Sequence, residues 1–430
     1  MDIYNCLEYI KENEIQQNKA INMVPSENTQ SLIAKLPLLF DLSDRYFFND
    51  TLDESNWNFR GNQNACLIET DIVIPLIKKF AKCNYVNVRP ISGLNCMMLV
   101  IAALGGKKGS TILTVSPDQG GHYATADVAK SLGYKIKYLE AINEYFIDYV
   151  RIKSQLLTEP ISLIYIDQSH LLFPIDIEKL SKIVKKYSPN TIMHVDASHI
   201  LGLIFGNVLP NPLECGADSF GGSTHKTYPG PQRGLICTNS ESISMRIREK
   251  QFFMISNHHY GTIASLAISL QEFKQYGNEY ALQVIKNAKR LASALCDLGL
   301  DVKGKEYGYT ECHQIWVDTS PLGIDSYSAS ERLHRCGINV NALDELPCSD
   351  EFVLRIGVNE ITKLGAKETE IIELANIMKE AITESECVEK LQARVFCIKN
   401  KISSFCNYSD DYKMKKIIAD IFDLFIKTTT

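Results

Sequence analysis

The 430-residue sequence predicts an α/β fold, a mostly parallel sheet with helices on both faces followed by a small C-terminal α+β domain. Three observations carry that expectation. Helix-period and strand-like segments alternate through the middle of the chain, as crossover connections in a parallel sheet require. Two of the strand-like runs, 161–166 and 191–195, read as buried strands, and each is followed by an acid, Asp167 and Asp196. A long helical stretch then separates this region from shorter mixed segments.

In chain order, residues 71–82 carry apolar positions at helical spacing, and 94–104 form a mostly apolar run that suits a buried helix. Residues 111–115 read as a strand, 123–132 as a helix and 135–139 as the next strand. An amphipathic helix over 177–187 lies between the two buried strands, and Ala217-Asp218-Ser219-Phe220 leads into a glycine-rich turn, Gly221-Gly222-Ser223-Thr224-His225-Lys226. Helix 263–298 leads out; 313–317, 352–356 and a helix over 368–382 build the small domain, and the tail 387–427 suits an amphipathic docking helix. The expected division is an arm over 1–55, a large domain over 56–285 and a small domain with helical tail over 286–430.

Hydrophobic residues make up 45% and charged residues 22%, values of a soluble globular protein. A formal net charge of -6 without a basic block argues against a nucleic-acid partner and favours a small-molecule ligand. The 13 cysteines are scattered singly with neither a CxxC pair nor a metal-ligand spacing, so no metal is expected. Buried thiols in a reducing cytoplasm are the simpler reading. Met1–Asn5 shows neither the basic start nor the apolar core of a secretory signal, and no run approaches the roughly 18 apolar residues of a membrane helix.

Ligands of open α/β sheets bind beyond the carboxyl ends of the strands, so the residues there are the candidates for chemistry. Ser92-Gly93-Leu94 opens a helix and offers backbone N–H groups to a phosphate. His122 follows two glycines, as either a ring contact or a helix cap; Asp196 ends a strand, as either a partly desolvated acid or the N-cap of the next helix. Lys226 is either a solvated loop lysine or an imine-forming amine. Together, an acid, a phosphate cradle, an imidazole and such a lysine suggest pyridoxal phosphate.

The order and spacing of Pro25-Ser26-Glu27-Asn28, Gly120-Gly121-His122, Val195-Asp196-Ala197-Ser198-His199, Pro210-Asn211-Pro212, Ser223-Thr224-His225-Lys226-Thr227 and Arg355-Ile356-Gly357 resemble serine hydroxymethyltransferase. That family has the fold type I architecture of pyridoxal-phosphate enzymes, with a seven-stranded sheet, and the resemblance covers about residues 21–382. It implies that Lys226 forms the Schiff base, Asp196 pairs with the pyridinium nitrogen, His122 stacks on the ring, and Ser92, Gly93 and Leu94 hold the phosphate. It further places Thr224, His199 and His225 around the cofactor, Gln168 or Ser169 near its phenolic oxygen, and Arg355 on the substrate carboxylate. Ser26 and Tyr46 would come from the arm, reaching across a homodimer interface, and Ser256, Asn257 or His258 would contact the neighbouring subunit's phosphate.

The chain departs from the family at several positions. Phe48 stands where the family has a catalytic glutamate, with Asp53 and Glu54 nearby in a short insertion as substitutes. Asn58-Phe59-Arg60-Gly61 replaces a Tyr-Tyr-Gly-Gly segment, which makes Arg60 a candidate substrate contact. Residues 253–259 have lost the glycines of a Phe-Pro-Gly-Gly-Gln-Gly-Gly loop, and 341–345 replaces a folate-holding loop. These departures cluster at the glutamate, tyrosine and folate positions, so the cofactor chemistry is expected to be retained while folate use is in doubt. The expectation is an aldolase or transaldolase acting on the Cα–Cβ bond of a β-hydroxy-α-amino acid. The alternatives are a folate-dependent hydroxymethyltransferase, a transaminase, decarboxylase or oxygen-using enzyme on a glycine-like substrate, and a catalytically silent partner subunit.

Overall fold

The computed structural model describes residues 3–48, 59, 61, 63–343, 353–406 and 411–429. Its centre is a seven-stranded sheet of β1 (Tyr85–Asn87), β2 (Thr111–Thr114), β3 (Lys135–Tyr138), β4 (Ile161–Ile166), β5 (Ile192–Asp196), β6 (Ser219–Ser223) and β7 (Gly234–Thr238). The order across the sheet is β1-β7-β6-β5-β4-β2-β3. Strands β3, β2, β4, β5 and β6 run parallel, while β7 is antiparallel to β6 and β1 to β7. The chain leaves β2 outward to β3 and returns on the other side to β4, so the topological switch lies between β2 and β4.

Buried apolar side chains from β2, β4 and β5, including Leu113, Ile164 and Val195, join the main core, while Ile112, Leu163 and Tyr165 face the second cluster beneath helix Gly93–Leu104. That helix buries seven side chains. Its near-continuous apolar sequence therefore reflects enclosure on almost every face. The small domain carries an antiparallel sheet of β8 (Asp301–Val302), β9 (Gln314–Asp318), β10 (Asn341–Leu343) and β11 (Val353–Gly357), in the order β10-β11-β9-β8. Helix Glu368–Thr383 packs beside the long helix Tyr260–Asp297.

Several expectations change. The glycines 221 and 222 do not form a turn; they lie inside β6. A Cβ on Gly221 would sit 2.0 Å from Leu235 O, so the strand reaches its neighbour only without side chains. The boundary expected at 285/286 falls within helix Tyr260–Asp297. The arm is tied to the small domain by Ile21–Asn22, which pairs with Ile338–Asn339. Helix 71–82 begins as a wider-wound segment, Ile68–Val73, before Ile74–Ala81. The tail divides into two helices, and Val388–Lys401 buries Leu391, Val395 and Ile398 against the body, as a docking helix should.

The wide-wound segment carries Glu69, which is fully buried. Its Oε1 accepts from Arg89 Nε at 2.8 Å, and Arg89 Nη1 donates to His258 Nε2. His258 Nδ1 then carries the proton, facing Tyr260 OH at 3.2 Å and Glu69 Oε2 at 3.6 Å. Burial by itself raises the Glu69 carboxyl, but Arg89 and His258 outweigh it and hold it down at about 2. Because the folded value lies below the ordinary 4.5, the stabilisation is complete above about pH 4.5 and is lost as pH falls towards 2. Glu69→Gln strands a buried guanidinium and is expected to lower stability by about 3 kcal/mol or more. Urea midpoints at neutral pH would show that loss, and the variant's stability should also fall less steeply on acidification than the wild type's.

Candidate active site

A cavity opens beyond the carboxyl ends of β2, β4, β5 and β6. Gly93, Leu94 and Met97 line it from the buried helix, His122 from the loop after β2, and Asp167, Gln168 and Ser169 from the loop after β4. Asp196, Ser198 and His199 follow from β5, and Ser223 and Lys226 from β6. Eight residues named as candidates from the sequence thus meet at one place: Gly93, Leu94, His122, Gln168, Ser169, Asp196, His199 and Lys226.

Asp196 ends β5 and does not cap a helix, since the next one, Leu201–Phe205, starts after Ile200. Tyr165 OH donates to its Oδ2 at 2.8 Å, while Ser198 donates to Oδ1 from both N and Oγ. These donors fix the position of the carboxyl group at the strand end. Gly222 makes this possible: at φ +129 its missing Cβ would lie 2.4 Å from Ser198 Oγ and 2.5 Å from Asp196 Oδ1. Lys226 leaves the end of β6 on a turn whose carbonyl accepts from Asn28 Nδ2 at 2.6 Å. Desolvation, supported by the nearby Arg355 cation and opposed by Asp196, brings its amine down to about 8. An amine with that value has a substantial free-base fraction near neutrality and is half free base at about pH 8.

The loops after β2 and β4 are zipped together at the topological switch. Gly121 bridges Gln168, and Gly120 O accepts from both Ser169 N and His170 N. Asp167 sits under this zipper, 3% exposed, accepting from His122 N at 3.3 Å, Thr114 Oγ1 at 3.2 Å and Thr125 Oγ1. Burial first, and then the neighbouring Asp196 charge, push its carboxyl well up. Its role is to hold the His122 backbone against the strand end. Gln168 spends its amide on the backbone, donating to Phe173 O at 3.4 Å and accepting from Ile175 N at 2.8 Å.

Arg355, on β11, brings the small domain to the cavity. It is 5% exposed, and among the described residues no carboxylate pairs with it. Nε donates to Gln314 Oε1 at 2.8 Å and Nη2 to Ser169 O at 2.6 Å. Burial lowers the guanidinium to about 9, which marks a cation that lacks its anion. His199 Nε2 stands 3.4 Å from Lys226 Nζ, and His313 stacks behind His199. Burial and these neighbouring cations keep His199 well below its ordinary range.

Other sequence candidates are placed elsewhere. The Ser92 hydroxyl accepts from Asn95 N at 3.1 Å and so caps its own helix. Thr224 Oγ1 donates to Pro231 O at 2.6 Å and Arg233 O at 3.1 Å, holding the turn. His225 points away from Lys226 into a second pocket, which it shares with Ser26. Tyr46 is 47% exposed beside Phe59, and Asn257 Oδ1 accepts from Phe47 N at 3.0 Å. Neither they nor Ser256 lines this chain's own cavity. His258, offered for a phosphate, is turned inward to Arg89. Arg60, Asp53, Glu54 and residues 344–345 lie outside the described residues. Sequence reading passed over Tyr165, Ser198, Ser223, His313 and Gln314. Tyr165 and Ser198 could have been found, because a strand-terminal acid needs donors from the adjacent strand and from the residue two positions on.

The donor set fits pyridoxal phosphate. An amine available as a free base, a fixed carboxylate and an imidazole meet in one cavity, and the helix beginning at Gly93 directs backbone N–H groups into it. Gly93 and Gly222 keep clear the space that side chains would otherwise fill.

Comparison with known proteins agrees with this reading. The family model for serine hydroxymethyltransferase matches residues 2–378. The chain is 40% identical over 364 residues to an L-threonine:uridine-5'-aldehyde transaldolase from Amycolatopsis sp., covering 84% of this chain and 88% of that one. It is 33% identical to a serine hydroxymethyltransferase from Thermoplasma acidophilum, covering 92% and 95%. A crystal structure of an L-threonine transaldolase from Pseudomonas fluorescens in its internal aldimine state is similar with a TM-score of 0.85 and 25% identity, covering 98% of this chain and 97% of that one.

Two outcomes follow from the geometry. Lys226→Ala should yield a protein without the borohydride-reducible chromophore of the wild type, and a retained reducible band would show that another lysine carries the cofactor. In Gly222→Ala, the added methyl meets Asp196 and Ser198, and cofactor retention should fall by about tenfold or more in equilibrium dialysis.

Proposed function

We propose that this chain, which belongs to the serine hydroxymethyltransferase family, is a transaldolase that moves the glycine portion of L-threonine onto a second aldehyde without folate. Reaction class and cofactor are those of the family and its transaldolase relatives: a pyridoxal-phosphate enzyme that makes or breaks a carbon–carbon bond of a threonine-type substrate. Bound in the cavity, the cofactor supplies the sink for the electrons of the broken bond. In this reading Asp196, fixed by Tyr165 and Ser198, holds the proton on the ring nitrogen, and His122 covers the ring. Arg355 takes the substrate carboxylate through its planar fork, which supplies the anion that its buried site lacks. Lys226, as a free base, takes the proton of the β-hydroxyl as the Cα–Cβ bond breaks and returns it to the oxygen of the second aldehyde as the new bond forms, so no proton moves at Cα.

The observation that carries the folate-independent reading is Phe48. Its ring packs 5.4 Å from Phe252 and 6.4 Å from His258, so an apolar, anchored side chain stands where the resemblance puts a proton-moving acid. A free aldehyde needs no acid to release it from folate, and the proton of its new hydroxyl can be carried by another group of the cavity. Relatives at 39–40% identity are named for uridine-5'-aldehyde, which supports a nucleoside 5'-aldehyde as the first acceptor to try. The similarity to serine hydroxymethyltransferases supports folate-dependent transfer as the second reading.

The exposed Tyr46 and the 255–259 loop, both off this chain's own cavity, support a homodimer in which the arm completes the partner's site. No helix among the described residues is long and apolar enough to cross a membrane, and no disulfide joins the described cysteines. These features support a cytoplasmic enzyme.

The deciding assay supplies L-threonine with a panel of aldehydes and measures acetaldehyde release. Release that rises with the aldehyde and is indifferent to tetrahydrofolate is the expected result; release or serine formation that requires tetrahydrofolate overturns the proposal. Arg355→Ala should raise KM for threonine by about a hundredfold, the loss of a charge-assisted bidentate contact, while KM for the aldehyde changes little.

A further inference from the structure

We propose that His313 is a positioning residue for Lys226: it fixes the tautomer and the plane of His199, so that His199 aims an N–H at the lysine amine. The chain of contacts begins at a group with only one option. The Pro25 carbonyl accepts and cannot donate, and His313 Nε2 lies 3.2 Å from it, so the proton of neutral His313 is on Nε2. That same nitrogen is 3.4 Å from His199 Nδ1. Facing an N–H, His199 Nδ1 acts as acceptor, which leaves the ring proton on Nε2. His199 Nε2 is in turn 3.4 Å from Lys226 Nζ.

Most of the surroundings favour this arrangement, while Asp196 acts on Lys226 in the opposite sense. The two imidazoles are held 5.5 Å apart at 21°, and both are buried, so His199 cannot swing without displacing His313. Arg355 Nη2 spans both nitrogens of His199 at 3.5 and 3.4 Å, which disfavours a second proton on that ring. Among the described residues, the charged and titratable groups that act most strongly on His199 are Lys226, Arg355, His313 and His170, while Asp196 and Asp167 line the same cavity. Among the described residues His313 Nδ1 is buried without a hydrogen-bond partner, as an unprotonated nitrogen can be. A protonated Lys226 would meet the His199 N–H head-on; the free base accepts it. The pair therefore keeps the amine in the form that imine exchange needs.

This inference rests on Lys226 being the lysine that carries the cofactor, which Lys226→Ala tests separately. Its own test follows pyridoxal phosphate uptake by the apoprotein, by absorbance, between about pH 6 and 10. The wild-type rate should rise through about 8. His313→Phe keeps a ring but has no N–H; its profile should move up by about one pH unit, slowing uptake about tenfold near neutrality. His313→Gln, whose amide N–H can reach the same acceptors, should return the rate to within about twofold of wild type. A His313→Phe profile that superimposes on the wild type overturns the proposal, as does an equal displacement in both variants. If melting shows that His313→Phe does not fold, nitrogen-15 shifts of the wild-type apoprotein's histidines decide: a protonated Nε2 on His199 supports the proposal and a protonated Nδ1 overturns it.

Discussion

The close approach of β6 to the end of β5 is the constraint on which the site depends. Ala197 N donates to Gly221 O at 2.6 Å, and Ser223 N donates to Ser198 Oγ at 2.8 Å, so the two strand ends are stitched together. Only glycine at 221 and 222 leaves room for this, because a side chain would enter Leu235 or Asp196. The stitching sets Lys226 and Asp196 on one cavity wall while each stays on its own strand. It also gives Ser198 two duties, as donor to Asp196 and acceptor from β6.

Around this point the charges are arranged to separate the states of similar groups. Asp196 and Asp167 end adjacent strands, yet their surroundings differ. Asp196 receives a tyrosine hydroxyl and a serine's two donors, whereas Asp167 is sealed beneath the zipped loops and its carboxyl is pushed up. On the cationic side Arg355 has no acidic partner among the described residues, and its presence favours neutral forms of Lys226 and His199. The site is thus built to receive negative charge, which an amino-acid carboxylate and a phosphate both supply.

Phe48 and the 253–259 loop form one physical unit. The segment 46–48 is pinned to the 257–259 loop by Phe47 N on Asn257 Oδ1 and by His258 N on Phe47 O at 2.9 Å. That loop is in turn anchored through His258 to the buried Glu69 and Arg89. The loop thus folds onto its own chain's core, and Phe48 presents an aromatic surface beside it.

The sequence by itself determined the parallel sheet and the long exit helix, and it singled out Lys226, Asp196, His122 and Arg355 as candidates, the first three of which line one cavity. Their signals are local: apolar runs of strand length, a residue placed just after each run, and short motifs whose order matches one family. It could not show that β6 runs through two glycines, because composition there reads as a turn and the strand exists only through its pairing with β5 and β7. Nor could it separate Lys226 from His225, or Gly93 from Ser92, since neighbours in sequence point to opposite sides once the chain is packed. The tertiary structure alone decided that His313, 114 residues from His199, completes the lysine's surroundings. Side-chain direction and long-range contact depend on the whole packed chain, and no local pattern encodes them.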